Sequence, residues 1–215
     1  MSDDLDDLIR RVDPDRWLSS RFIDDPAARA DVIAIYAYDH ELARAPKVAS
    51  NALLGEIRLT WWREMLDEAY EGRPVRHHPT AQALARVISS RGLPREPLEA
   101  MIDARYRELD AAPMSGAEAL AWARGTAGRA AEVAARILDP GGAAERAVAA
   151  GAVWALAHRG LALDPPETEA AKAGACAVSA AAFPAVAHAA LAGRPAGSEL
   201  AKRLRLTWAV ARGRI

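Results

Sequence analysis

Apolar positions recur along this chain at the three-to-four-residue spacing of helices almost everywhere, and sustained alternation of β-branched residues is nearly absent. The pattern therefore predicts helices joined by short polar breaks. Asp13-Pro14 sets a capping residue before a proline at the first helical position, so a helix starts there. Asp25-Pro26 repeats the signal. The segment after it carries Val32, Ile33, Ile35, Tyr36 and Leu42 and is expected to end before Pro46. A third helix runs from Asn51 to Tyr70 and stops at the breaker Glu71-Gly72-Arg73-Pro74. Pro79 opens the next, which ends at Gly92, and Pro94 to Asp110 forms another. Ser115 and Glu118 form a capping box before a long helix to Leu138, and Asp139 to Gly142 is the clearest turn. Further helices are expected over 143–163, 167–182, 184–192 and 198–212. No linker separates these segments, so the expected architecture is one all-α domain over residues 1–215, a bundle of roughly eight to ten helices.

Composition sharpens that picture. The 215 residues are 51% hydrophobic and 27% charged, ordinary for a chain with a core. Roughly a quarter of them are alanine, the best helix former, whose small side chain lets helices approach closely. A net charge of −1 supplies no field that would gather nucleic acid, so no nucleic-acid partner is expected. The single Cys176 has no internal disulfide partner, fits a reducing compartment, and reads as a small buried filler in an alanine run. The acidic N-terminus has no apolar core and is not read as a signal peptide. The stretch from Ala170 to Leu191 is the nearest to a membrane span, but Lys172, Ser179, Pro184 and His188 interrupt it. Cytoplasmic location with at most peripheral membrane contact is the resulting expectation.

Two groups of strings carry a further signal. The first is DPDRWLSSRF (13–22), IAIYAYDHELAR (33–44) and LLGEIRLTWWREML (53–66). The second is LEAMIDARYRELD (98–110) and AWARGTAGRAAEVAARIL (121–138). In order and spacing they resemble the squalene/phytoene synthase family across about residues 10–160, with the chain shortened near 160–170. The resemblance implies the all-α isoprenoid synthase fold and a large apolar cavity. It also implies chemistry in which two facing D-x-x-x-D pairs hold Mg²⁺ against a leaving diphosphate. Aligned on Tyr36-Ala37-Tyr38, the first motif's aspartates fall on Ala43, Arg44 and Lys47. The second motif falls on 151–160, where Ala155 and His158 stand for its glutamine and asparagine. No aspartate follows before Asp164. Both motifs thus read as lost.

The leading expectation is a catalytically degenerate family member without metal or other cofactor. It would bind a lipid or isoprenoid or serve assembly of a respiratory complex at the inner membrane, as the resemblance to an assembly branch implies. The alternative is an active Mg²⁺-dependent prenyltransferase of terpenoid biosynthesis. A third reading is a peripheral membrane module that sequesters lipid through the alanine-rich C-terminal helices. The candidates for a ligand cavity or polar network are Tyr36, Asp39, Glu41, Arg44, Arg58, Trp62, Asp103, Arg105 and Arg107. Arg58 and Arg63 are expected to pair with Asp39 or Glu41, and Arg105 or Arg107 to meet an anion. Asp3/Asp7, Glu64/Glu68 and Asp67/Glu71 read as surface acids. His77-His78, His158 and His188 read as loop, core or rim residues rather than metal ligands.

Overall fold

A computed structural model describes residues 2–47, 51–162, 165–192 and 197–215, with side chains from residue 4 onward. Asp164 and the Asp3 side chain lie outside the described residues. Within them every regular element is helical. The α-helices are α1 (Ser2–Val12), α2 (Pro14–Ser20), α3 (Pro26–Lys47), α4 (Ala52–Tyr70), α5 (Pro79–Arg91) and α6 (Arg95–Tyr106). They continue with α7 (Gly116–Ala123), α8 (Arg129–Leu138), α9 (Val148–His158), α10 (Pro165–Ala177) and α11 (Glu199–Arg212).

The local signals act as their chemistry requires. Asp13 caps α2, its carboxylate accepting from the Arg16 N–H at 3.2 Å. Asn51 accepts from the Leu54 N–H at 3.0 Å to start α4. Ser115 and Glu118 cap reciprocally. Gly92 closes α5 in the left-handed conformation, φ 58°, where any other residue would be strained.

One element is added to the expected set and three expectations need correction. The added helix precedes Asp13: Leu5 and Ile9, four residues apart, bury the inner face of α1 beneath its acids. Helix α3 runs through Pro46 to Lys47, because a proline in the last turn forfeits only one backbone donor. The segment 184–192 is not one α-helix but two 3₁₀ turns, Phe183–Ala185 and Ala187–Leu191. Cys176 is exposed: α10 buries Ala171, Gly174 and Ala175, and the next position is turned about 100° away from that stripe.

Helix α3 is the axis of the molecule, packed against α1, α4, α5, α6 and α8. Its residues from Val32 to Asp39 are all buried. Between α7 and α8 the helix widens into a π turn, Arg124–Gly128, which lies against α9. There Gly151 brings backbone to backbone: a Cβ added to it would sit 2.3 Å from the Ala127 carbonyl oxygen. This close approach of α9 sets one wall of the cavity described next.

Candidate functional site

Asp39 stands at the centre of the molecule, 2% exposed. It accepts from Arg16 Nη2 at 2.8 Å and from Arg105 Nη2 at 2.6 Å. Arg16 also donates to Asp13. Arg105 donates from Nη1 to Glu108 at 2.6 Å, and Glu108 accepts from Arg159 at 2.9 Å and from Trp122 Nε1 at 2.6 Å. Asp13, Arg16, Asp39, Arg105, Glu108 and Arg159 thus alternate in charge along one chain of ion pairs that ties α2, α3, α6 and the end of α9 together. Burial alone would raise the Asp39 pKa, but the guanidiniums of Arg105 and Arg16 outweigh it and hold the carboxyl at about 2. Burial alone would likewise lower the pKa of Arg16, and Asp13 and Asp39 reverse that. Asp39 and Arg16 are therefore both charged at neutral pH.

Aromatic rings complete the enclosure. The Arg16 guanidinium lies between Tyr36 and Trp154, 4.9 and 4.6 Å from their ring centres, and Arg159 covers Trp122 at 4.1 Å. His188 packs edge-on to Tyr36 and Trp154, with neither ring nitrogen hydrogen-bonded. Burial, helped by Arg16, pushes its pKa down to about 3, so it is a neutral ring at physiological pH.

Beside this chain opens a cavity of about 130 Å³. Its α3 wall includes Ala43 and Lys47, and its α9 wall includes Ala155 and His158, with Arg159 beyond. The two stretches on which the sequence reading put the aspartate motifs therefore line one cavity, while Arg44 borders a separate depression. Among the described residues the carboxylates on the cavity wall are Asp13 and Asp39, and both are held by arginine. Among the described residues no group of three His, Cys, Asp or Glu side chains could hold a metal ion. This donor set does not fit Mg²⁺: the first motif's aspartates are read onto Ala43, Arg44 and Lys47, and the wall carboxylates Asp13 and Asp39 are already paired with arginine.

Of the residues singled out from sequence, Tyr36, Asp39 and Arg105 come together here. The others do not. Glu41 pairs with Arg44 at 3.1 Å over a second depression of about 370 Å³, which Arg58 and Trp62 also border. Trp62 is buried against Tyr38 and Trp61. Arg58 is exposed and makes no ion pair among the described residues, and Arg63 pairs with Asp103 on the surface. Neither arginine reaches Asp39 or Glu41, because Asp39 points inward to partners from α2 and α6. Arg107 holds Glu118 and the carbonyl oxygens of Ala112 and Pro113. Glu64 and Glu68 pair with Arg76, Asp67 with Arg95 and Glu71, just past the end of α4, with Arg73, rather than with Arg58 or Arg63. Sequence reasoning missed Asp13, Arg16, Trp122, Trp154 and Arg159 as members of the network. The available signal was that Asp13 and Arg16 sit inside the most N-terminal of the shared strings.

The squalene/phytoene synthase family model matches residues 9–161, the stretch that builds the ion-pair chain and both cavity walls. The chain belongs to the squalene/phytoene synthase family. Its all-α fold is the isoprenoid synthase fold of that family. Among relatives, a Bos taurus protein named NADH dehydrogenase (ubiquinone) complex I, assembly factor 6 is 30% identical over 105 residues. The Homo sapiens protein of that name is 29% identical over 105 residues. Each match covers 48% of this chain and 31% of the relative. The Dictyostelium discoideum homolog is 28% identical over 85 residues, 40% of this chain and 24% of its own length. The matched stretch is thus less than a third of the length of each of these relatives. No helix among the described residues is long and apolar enough to cross a membrane.

Proposed function

We propose that this family member does not condense prenyl diphosphates and acts instead as an assembly protein for a respiratory NADH dehydrogenase complex. The observation that carries the first half is the cavity wall. Ala43 and Lys47 on α3 and Ala155 and His158 on α9 occupy the motif positions, and the cavity's own carboxylates are spent on Arg16 and Arg105. A leaving diphosphate needs metal-bridged negative charge stabilised, and a cation at position 47 repels the metal that would do it. The cavity of about 130 Å³ also lies below the range of roughly 300–1,000 Å³ usual for ligand sites. The reading therefore places no prenyl chain between α3 and α9, in contrast to the large apolar cavity that the resemblance implied.

The second half is supported by the names of the relatives, over the part of the chain that they match. In this reading the fold is a scaffold. The buried charge chain fixes the relative positions of α2, α3, α6 and α9, and recognition falls to the outer surface. Deleting the gene in its native host and resolving membrane complexes on native gels tests the proposal. The expected result is loss of assembled NADH dehydrogenase complex, restored by the wild-type gene, with isoprenoid products unchanged. A normal complex together with a missing isoprenoid product would overturn the reading in favour of a prenyltransferase.

A further inference from the structure

Helix α11 is amphipathic in an unusual way: it carries two apolar faces. Leu206 and Ala209 are buried, 0% and 3% exposed, and seat the helix on the 3₁₀ turn Ala187–Leu191 and on α2. Lys202 fixes that docking with an ion pair to Asp15 at 2.7 Å. On the opposite side Leu200, Leu204 and Trp208 are 67%, 62% and 61% exposed. Spaced four residues apart, they form one outward stripe a little over two turns long. An apolar face of this kind on an already docked helix contributes nothing to the fold as it stands.

Charge decides what fits the stripe. At about 100° per residue, Arg203 lies on one flank, and Arg205 and Arg212 lie on the other. Arg214 follows just past the helix end. None of these four arginines has an ion pair among the described residues. The Arg212 guanidinium stacks on Trp208, 3.8 Å from the ring centre. Other surface arginines, such as Arg63, Arg76, Arg91, Arg95 and Arg129, are matched by acids. The only acid on α11 is Glu199, at its first residue.

We infer that the outer face of α11 is a membrane-docking surface: Leu200, Leu204 and Trp208 enter the interface of a bilayer, and the flanking arginines meet anionic lipid headgroups. A flat anionic plane contacts both arginine flanks at once while the convex stripe between them sinks in, and tryptophan suits the headgroup boundary. Long arginine side chains keep their charge at headgroup depth while their stems cover apolar surface. The helix lies on the membrane and does not cross it. This inference does not depend on whether the cavity is catalytic.

Flotation of the purified full chain with phosphatidylcholine vesicles, with and without phosphatidylglycerol, tests it. The protein is expected to float with the anionic vesicles, weakly or not at all with neutral ones, and less as salt rises. The double substitution Leu200→Glu with Leu204→Glu is expected to lower partitioning at least tenfold. Arg203→Gln with Arg205→Gln, which leaves the apolar stripe intact, is expected to lower it by about fivefold for each arginine. Failure to float with anionic vesicles at low salt overturns the inference. So does flotation that neither double substitution reduces. A dimer that the leucine pair abolishes, in a protein that vesicles do not recover, overturns it in favour of self-association.

Discussion

The cavity wall and the outer face of α11 are both rich in arginine and aromatic rings, yet they differ in compensation. At the wall, Arg16, Arg105 and Arg159 are each matched by a carboxylate and covered by a ring. On α11, Arg203, Arg205 and Arg212 pair with no carboxylate among the described residues, and the adjacent Leu200, Leu204 and Trp208 are open to solvent. The same residue types thus mark two kinds of site. Where the counter-charges lie within the chain, the arrangement closes on itself and serves the fold. Where they are missing, the arrangement waits for something outside it.

The strongest way to break this contrast is to remove a charge from the closed network. Arg105→Ala leaves Asp39 held by Arg16 alone and Glu108 by Arg159 and Trp122, and urea unfolding should show a loss of about 3 kcal/mol. A loss under about 1 kcal/mol would mean that the wall is not held by its ion pairs.

Acid probes the same region. His188, with its pKa at about 3 against an ordinary 6.5, is neutral in the fold and takes up a proton when unfolded. Stability therefore falls as pH drops below about 6.5, by up to about 1.4 kcal/mol per unit. His40, whose pKa burial also lowers, adds in the same direction. Asp39 acts lower down. Its contribution is complete above its ordinary value of 3.8 and is lost as pH falls toward about 2. His188→Leu should flatten the stability profile between pH 6.5 and 4 and leave the fall below pH 4 in place, as urea titrations across that range would show.

Gly151→Ala pushes a methyl group against the Ala127 carbonyl at 2.3 Å. It should cost about 1–3 kcal/mol, read as a lowered thermal midpoint. Ser115→Ala, which removes a capping bond far from either region, should cost about 1 kcal/mol. At the other extreme, Leu204→Glu on α11 should change unfolding stability by no more than about 0.5 kcal/mol. The contrast sharpens if that substitution spares the fold and abolishes vesicle binding.

The helices were legible in the sequence wherever a local signal carries its own chemistry. Asp13, Asn51, Ser115 and Gly92 act within a turn of their own helix, so their neighbours suffice to predict them. The shared strings brought the family and, through it, the positions Ala43, Lys47, Ala155 and His158, which the fold gathers on one cavity. The partners of Asp39 were not legible. Arg16 and Arg105 lie 23 and 66 residues away, and periodicity says which face a residue occupies without saying which helix comes to meet it. Leu5 and Ile9 were hidden for another reason: the acids around them depress the local hydrophobicity although only one face of α1 is buried. Cys176 failed similarly, because in an alanine-rich helix nearly every position looks apolar and the buried stripe has no contrast.

Whether the cavity is a closed ion network or a metal–diphosphate site is tested most directly by giving the purified protein Mg²⁺ with farnesyl or geranylgeranyl diphosphate. Heat of binding and products are then followed together. With Lys47 and Arg159 beside the cavity and both wall carboxylates already paired, neither Mg²⁺-dependent diphosphate binding nor any condensed product is expected. Mg²⁺-dependent formation of a squalene- or phytoene-type product would contradict it.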